Sequence, residues 1–299
     1  MAVTMKTKGG FFMNIGGVRT HIIDKGRDEL RPMLMVHGID SSAGQAWGKN
    51  IECLSNERRV IAPDLPGYGL SGSPRSTPNM NYYVDFIGEM VYKLSIDRAD
   101  IVGHSLGGGI AIGYALSSPE MLRTVTAVSP YGLYKPISII ENIIKKIPDD
   151  ARGFFEGVFR GITSRKHERF VKRFEAVLTS GDLRPAAIAF LESEIKISYA
   201  DGMPKVTFST DYFNKLPRIG ECGLRSLFID GGRDPLFPGF VIRKAALEVP
   251  GAEFYSFSKA GHSPQETYPS RFNKLILDFV CGSNNRISKN AFSSYVDPL

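Results

Sequence analysis

A serine at the centre of residues 103–107 (G-H-S-L-G) is the feature that most constrains this chain. An apolar pair, Ile101-Val102, precedes the motif, and small residues dominate the stretch that follows, 107–115. Several glycines are costly in a solvated helix, so a helix here is expected to lie buried against a sheet. The pattern therefore predicts a sharp strand-to-helix turn that holds Ser105 in the strained, exposed position of a nucleophile.

Short apolar segments alternate with segments of helical periodicity along most of the chain, which is typical of βαβ units and a parallel sheet. Two β-branched runs around residues 14–17 (N-I-G-G) predict an opening hairpin before this alternation begins. Helices are predicted where apolar residues recur on one face, as in 84–94 and 272–279. The predicted strands are 11–15, 18–24, 33–36, 60–62, 100–102, 124–128, 226–229 and 253–257.

The alternation stops between residues 131 and 218, where helical stretches follow one another without a convincing strand. We expect a helical cap there, inserted between the two parts of one α/β core, residues 1–130 and 219–281. A chain of 299 residues is long enough for such a core with an insertion. The last residues, 282–299, are polar and aperiodic, so they are expected to form a mobile tail or a surface arm.

A nucleophilic serine needs a base within hydrogen-bond reach, because its hydroxyl is weak at its own pKa. Among the five histidines, His262 follows the last predicted strand on a loop, from which a base could approach the serine. A carboxylate must orient that base, and the chain order is expected to be serine, acid, histidine. Asp234 is favoured because it lies far enough into the loop after a predicted strand to reach the carboxyl edge of the sheet. Asp230 is the alternative, although a capping or turn role is more usual at a strand end. Asp201 and Asp211 are weaker candidates.

Two backbone N–H groups are expected to stabilise the oxyanion that forms when a serine attacks a carbonyl. The first belongs to Leu106 at the start of the helix, and the second to Ile39, in a loop that Gly38 opens to the substrate. The substrate pocket is expected to involve His37, Asp40, Trp47 and His104. For His37, local hydrogen bonding that shapes the loop is the alternative, and His104 is expected to pack under the turn.

Five short segments stand in an order and approximate spacing that is known from other proteins. They are His37-Gly38, residues 64–71 (D-L-P-G-Y-G-L-S), residues 103–108 (G-H-S-L-G-G), Gly232-Arg233-Asp234 and Gly261-His262. The chain resembles capped α/β-hydrolases in these segments, over about residues 11–281. The resemblance implies a mostly parallel, eight-stranded sheet flanked by helices, an inserted helical cap over the site, and no cofactor. It also implies that the turn at Asp64 is structural and not a metal ligand.

The same resemblance limits the activities that are expected but does not select one of them. Members with haloalkane dehalogenase or epoxide hydrolase activity have aspartate where this chain has Ser105, so those activities are disfavoured. Hydrolases of ring-cleavage diketones also resemble the chain, but a glycine-rich, proline-containing loop is common in them where this chain has residues 39–42 (I-D-S-S). We expect hydrolysis of a carboxylic ester, thioester or lactone of an apolar small molecule through an acyl-enzyme. The alternatives are a C–C hydrolase, lyase or transacylase on the same triad, or a ligand receptor that kept the fold.

Charge and composition bear on possible partners. The net charge of +6 is concentrated between residues 160 and 173, where six basic residues face one acidic residue, Glu168. No nucleic-acid-binding motif accompanies this stretch, so a solvated helix face is expected, and a docking patch for an acidic carrier is the alternative.

No run of about 18 apolar residues predicts a membrane span, so a cytoplasmic location is expected. The three separated cysteines lack metal-binding spacing and are expected to be reduced core thiols.

Overall fold

The computed structural model describes residues 6–7, 10–39, 41–133, 210–234, 236–237 and 239–282. Most of the predicted cap, including the basic stretch 160–173, and the predicted tail after Gly282 lie outside these residues. The two ends of the predicted cap are described, and the amide nitrogen of Tyr212 donates a 2.8 Å hydrogen bond to the carbonyl oxygen of Gly132. The chain therefore leaves the core and rejoins it at one point, as expected for an inserted segment. The cap itself stays a prediction.

One sheet forms the centre of the described residues. Its strands are β1 (Lys6–Thr7), β2 (Gly10–Ile15), β3 (Val18–Lys25), β4 (Pro32–Val36), β5 (Arg59–Pro63), β6 (Ala99–His104), β7 (Leu122–Val128), β8 (Arg225–Gly231) and β9 (Glu253–Phe257). They follow the spatial order β1-β2-β3-β5-β4-β6-β7-β8-β9. The first three neighbouring pairs, from β1 to β5, are antiparallel, and from β5 to β9 every neighbouring pair is parallel. All eight predicted strands are present, and the two-residue edge strand β1 is additional.

Seven α-helices of the described residues flank this sheet. They are α1 (Ala43–Leu54), α2 (Met80–Lys93), α3 (Leu106–Ser117), α4 (Pro217–Glu221), α5 (Gly239–Glu248), α6 (Pro264–Thr267) and α7 (Pro269–Cys281). Side-chain caps define two of the starts: Ser42 accepts from the amide of Gln45, and Asn79 accepts from the amide of Tyr82. No helix in the described ranges is both long enough and apolar enough to cross a bilayer.

The core lies on both faces of the parallel strands. All six residues of β6 are buried, as expected for a central parallel strand that helices cover on both sides. Helix α3 is buried from its first residue through Ala115, because its small residues allow close packing on the sheet. On the opposite face, α1 and α7 contribute Trp47, Phe272 and Phe279, which have no solvent exposure. The sheet thereby holds the ends of β4, β6, β8 and β9 at fixed positions.

The prediction of core thiols is wrong, because all three cysteines are free and exposed. Two of them lie on amphipathic helices, on the side that faces away from the core. Cys53 of α1 follows the buried Ile51, and Cys281 ends α7 just after the buried Val280. A cysteine on a helix faces solvent or core according to its place in the helical repeat, whatever its usual preference for burial.

Candidate active site

Ser105 occupies the turn between β6 and α3. Its backbone has φ 54° and ψ −117°, a left-handed conformation that is unusual and strained for a residue other than glycine. Two hydrogen bonds hold the turn from outside, since Ser105 N donates to Val128 O at 2.9 Å and Tyr131 N donates to Ser105 O at 3.0 Å. The predicted strand-to-helix turn is therefore present, and it leaves Ser105 partly exposed at the carboxyl edge of the sheet.

The glycines of the motif are required by close backbone approach. A Cβ atom at Gly103 would overlap the carbonyl oxygen of Gly107, and one at Gly107 would overlap the carbonyl oxygen of Val36 in β4. The helix can therefore start directly against the strands only when these positions carry no side chain. This packing explains why the sequence pattern extends beyond the serine itself.

His262 and Asp234 are hydrogen-bonded to each other. The loop after β9 carries His262, the loop after β8 carries Asp234, and Nδ1 of the histidine lies 2.8 Å from Oδ2 of the aspartate. An ionised carboxylate can only accept, so Nδ1 carries the proton and Nε2 is free to act as a base. The Asp234 side chain is fully buried, whereas that of His262 is 21% exposed.

Backbone donors stabilise the ionised form of Asp234. Its second oxygen, Oδ1, accepts from the amides of Leu236 at 2.8 Å and Phe237 at 3.1 Å. Burial raises the pKa of this carboxyl, but the nearby His262, its hydrogen bond and the Leu236 amide outweigh that effect. The pKa of Asp234 is consequently below its ordinary value, and the residue is an anion at neutral pH.

Asp230, the alternative acid, is in a different environment. It lies near the end of β8, is 3% exposed and hydrogen-bonds Ser256 of β9. Burial, with a further contribution from the charge of Asp234, raises its pKa to about 6. The hydrogen bonds of the described residues pair His262 with Asp234, and they direct Asp230 toward the neighbouring strand.

Aromatic rings lie on two sides of the His262 imidazole. Phe237 stacks on it with ring centroids 5.3 Å apart and an angle of 25°, and His104 contacts it at 4.7 Å with a 51° tilt. In addition, Nε2 of His104 lies 2.9 Å from the carbonyl oxygen of His262. Sequence reasoning missed both contacts, since nothing in the spacing of Phe237 or His104 indicates which ring it will meet.

The two expected oxyanion donors belong to segments that lie next to Ser105. Leu106 is the first residue of α3, where backbone N–H groups have no partner within the helix. Ile39 follows β4, and a Cβ atom on the preceding Gly38 would lie 3.0 Å from Cβ of Ser105. The loop backbone therefore passes directly beside the serine, and the positive end of the α3 dipole faces the same space.

His37 is buried and bonded on both ring nitrogens to the backbone. The Leu65 amide donates to Nε2 at 2.9 Å, and Nδ1 donates to the carbonyl oxygen of Gly38 at 2.7 Å. An amide can only donate, so Nε2 carries no proton and the ring is neutral. Burial lowers its pKa to about 4, which maintains that state. The ring has no exposed surface, so the structure assigns it to shaping the loop and not to lining a pocket.

The structure describes two of the three other expected pocket residues, and both are buried. Trp47 has no solvent exposure and lies on α1 between His104 and Phe272, with ring centroids 6.5 and 6.2 Å away. It belongs to the core beneath the site and not to an open pocket wall, because its helix turns this face toward the sheet. His104 is 6% exposed and packs against the rings of Trp47 and His262. Asp40 lies outside the described residues.

Asp64 joins three segments next to the site. Its Oδ1 accepts from the amide of Ala43 at 2.7 Å, and its Oδ2 accepts from the amide of Leu70 at 2.9 Å. Oδ2 also lies 3.0 Å from Nδ1 of His21. A side chain at Gly69, which has φ +54°, would overlap this carboxylate. These contacts anchor the start of α1 and are those of a structural turn.

A strained serine at a strand-to-helix turn, beside a histidine–aspartate pair from later loops of one parallel sheet, is the arrangement of α/β-hydrolases. Comparison with known proteins agrees with this class. The family model for the alpha/beta hydrolase fold matches residues 31–269, and the chain belongs to that family.

Individual relatives are distant. A 2-hydroxymuconate semialdehyde hydrolase from Pseudomonas sp. (strain CF600) is 27% identical over 271 residues, which cover 88% of this chain and 91% of the relative. A meta-cleavage product hydrolase from Pseudomonas fluorescens IP01 superposes with a TM-score of 0.65 at 24% identity, over 92% of this chain and 99% of the other. The naproxen esterase of Bacillus subtilis superposes with a TM-score of 0.64 at 20% identity, over 93% and 90%. These two structures show the shared fold alone.

Proposed function

We propose that the chain is a serine hydrolase of a carboxylic ester, thioester or lactone, with Ser105 as nucleophile, His262 as general base and Asp234 as the orienting acid. The observation that carries the proposal is the 2.8 Å hydrogen bond between Nδ1 of His262 and Oδ2 of Asp234. This bond selects the tautomer whose Nε2 can accept a proton from a serine. The strained backbone of Ser105 and the loop beside it support the same assignment.

The proposed reaction begins when Nε2 of His262 takes the Ser105 proton while the serine oxygen attacks the substrate carbonyl carbon. The N–H groups of Leu106 and Ile39 stabilise the oxyanion, and the buried Asp234 anion stabilises the imidazolium. His262 then gives its proton to the departing alcohol or thiol, which leaves an acyl group on Ser105. Water that the same histidine deprotonates attacks this acyl-enzyme and releases the carboxylic acid.

A second candidate is hydrolysis of a C–C bond in a ring-cleavage diketone, because the 27%-identical relative is named a 2-hydroxymuconate semialdehyde hydrolase. Such a reaction must also protonate a carbon leaving group. Both ring nitrogens of His37 and Nε2 of His104 are hydrogen-bonded to backbone groups, and both rings are buried. Among the described histidines beside the serine, His262 is therefore left for the proton transfers of either reaction. We place ester hydrolysis first because this chain has residues 39–42 (I-D-S-S) where a glycine-rich, proline-containing loop is common in hydrolases of ring-cleavage diketones.

Labelling with a fluorophosphonate tests the nucleophile. Ser105→Ala should abolish labelling of the full chain, because the reagent phosphonylates only an activated serine. Ser118→Ala is the matched control, since Ser118 lies at the other end of α3 and outside the site. Labelling that persisted in Ser105→Ala would remove the nucleophile assignment.

A substrate panel tests the reaction class. It would contain esters of increasing acyl length, an acyl thioester, a lactone and 2-hydroxymuconate semialdehyde, each with the wild type and Ser105→Ala. We expect one of the esters, thioesters or lactones to be turned over fastest. Faster turnover of 2-hydroxymuconate semialdehyde would favour C–C hydrolysis over ester hydrolysis. Labelling of Ser105 by the fluorophosphonate without turnover of any compound would favour a ligand receptor.

A further inference from the structure

We propose that His104 is a positioning residue that holds the loop of His262 against the strand ending at Ser105, an inference that rests on the proposed serine hydrolase function. His104 is the last residue of β6 and the immediate neighbour of Ser105. Its Nε2 lies 2.9 Å from the carbonyl oxygen of His262. A carbonyl only accepts, so the Nε2 proton is donated across the site, between segments 158 residues apart.

This hydrogen bond complements the one made by Asp234. The carboxylate holds the imidazole ring through Nδ1, at 2.8 Å, but does not restrain the backbone of His262 directly. A second restraint on that loop comes from Arg233, whose amide donates to the carbonyl oxygen of Ala260 at 2.9 Å. His104 supplies the backbone restraint at His262 itself, and it does so from the strand that carries the nucleophile.

Ring packing adds to the restraint. The His104 and His262 rings are 4.7 Å apart at a 51° tilt, and Phe237 covers the imidazole of His262 from a centroid distance of 5.3 Å. Beneath His104, Trp47 contacts the His104 ring edge-on at 6.5 Å. The position of His262 is thus set through His104 by the buried Trp47 of α1 and by β6, whose residues are all buried.

His104 makes these contacts without adding a charge. Burial, together with the nearby His262, lowers its pKa to about 3. A cation at this position would repel the imidazolium that His262 becomes during the reaction. A neutral donor avoids that repulsion, which is a physical reason for an imidazole here and not a lysine or an arginine.

The test compares two substitutions of similar size in the full chain. His104→Gln keeps an N–H donor at about the position of Nε2, whereas His104→Met fills the space without a donor. We expect His104→Met to lower kcat on the best substrate about 10- to 100-fold with little change in KM, the loss that a small misplacement of a reacting group produces. His104→Gln should recover most of kcat. Equal losses in the two variants, or no loss in His104→Met, would overturn the proposal.

A measurement that does not depend on turnover separates this inference from the proposed function. The proton between Nδ1 of His262 and Asp234 should give a low-field NMR resonance, which Asp234→Asn should remove. His104→Met should broaden that resonance, and His104→Gln should preserve it. If the wild type hydrolyses nothing, the function fails while this comparison still decides the positioning role.

The wild type alone supplies the last test, should His104→Met not fold. Nitrogen-15 shifts of its histidines should show His104 neutral, protonated on Nε2, and unchanged from pH 5 to pH 8. Protonation on Nδ1, or titration within this range, would refute the proposal.

Discussion

Nδ1 of His262 lies 2.8 Å from Oδ2 of Asp234, although 28 positions separate them in the chain. The loops after β8 and β9 bring them together, because these strands are parallel neighbours whose carboxyl ends share one edge of the sheet. The same edge carries Ser105 after β6 and Ile39 after β4. A single structural element, the parallel sheet, therefore assembles a candidate site from four distant segments.

The first prediction separates the two candidate acids. Asp234→Asn should reduce kcat about 10⁴-fold, because an amide at this position favours the wrong histidine tautomer. Asp230→Asn is the matched control and should change kcat only slightly, since Asp230 bonds Ser256 and not His262. Steady-state hydrolysis of the best ester measures both, and a larger loss in Asp230→Asn would assign the acid to that residue.

The second prediction concerns stability and pH. Because burial raises the pKa of Asp230 from 3.8 to about 6, the folded protein binds this proton more tightly than the unfolded chain does. The contribution of Asp230 to stability is therefore most favourable at low pH and declines as pH rises from about 4 to about 6. Asp230→Asn should increase the free energy of unfolding at pH 8 by about 1–3 kcal/mol, and by much less at pH 3.5.

Urea unfolding at both pH values checks this expectation. Asp24→Asn is the control, because Asp24 accepts hydrogen bonds from Arg59 at 3.0 and 2.7 Å and should lose stability at pH 8 when neutralised. A gain in Asp230→Asn that did not depend on pH would show that the carboxyl is not the cause.

The third prediction addresses the strained turn. Ser105 has φ 54°, a conformation that glycine adopts without cost and alanine does not. Ser105→Gly should therefore be more stable to urea than Ser105→Ala, by about 1 kcal/mol. At Ser118, which has φ −143°, the alanine variant should be more stable than the glycine variant, because glycine there only adds entropy to the unfolded chain. The same order at both positions would argue against strain at Ser105.

The fourth prediction concerns the glycine of the motif that faces β4. Gly107→Ala should greatly reduce the yield of folded protein or the melting temperature, since its Cβ would overlap the carbonyl oxygen of Val36. Gly48→Ala is the control, because Gly48 lies inside α1 with open space around its missing Cβ. It should stabilise the protein by about 0.5–1 kcal/mol. Thermal unfolding of both variants measures these changes in stability. A Gly107→Ala protein as stable as wild type would contradict the close packing.

The local patterns of the sequence are sufficient to predict many of the core elements, because they depend only on neighbours in the chain. Short apolar runs predict all eight strands, the periodicity of apolar residues predicts α2 and α7, and the small residues after Ser105 predict α3. The two-residue strand β1 carries no comparable signal. Glycines around Ser105 predict the turn for the same reason, because their conformational effect is local.

The sequence by itself also selected Ser105 and His262 as the residues with the right chemistry in the right order. Only the tertiary structure decided which carboxylate His262 contacts, that Trp47 and His37 are buried, and that the cysteines face solvent. It alone also brings His104 against the carbonyl of His262. These relationships join residues far apart in the chain, and hydrogen bonding and ring packing depend on differences of about an ångström that no sequence pattern encodes.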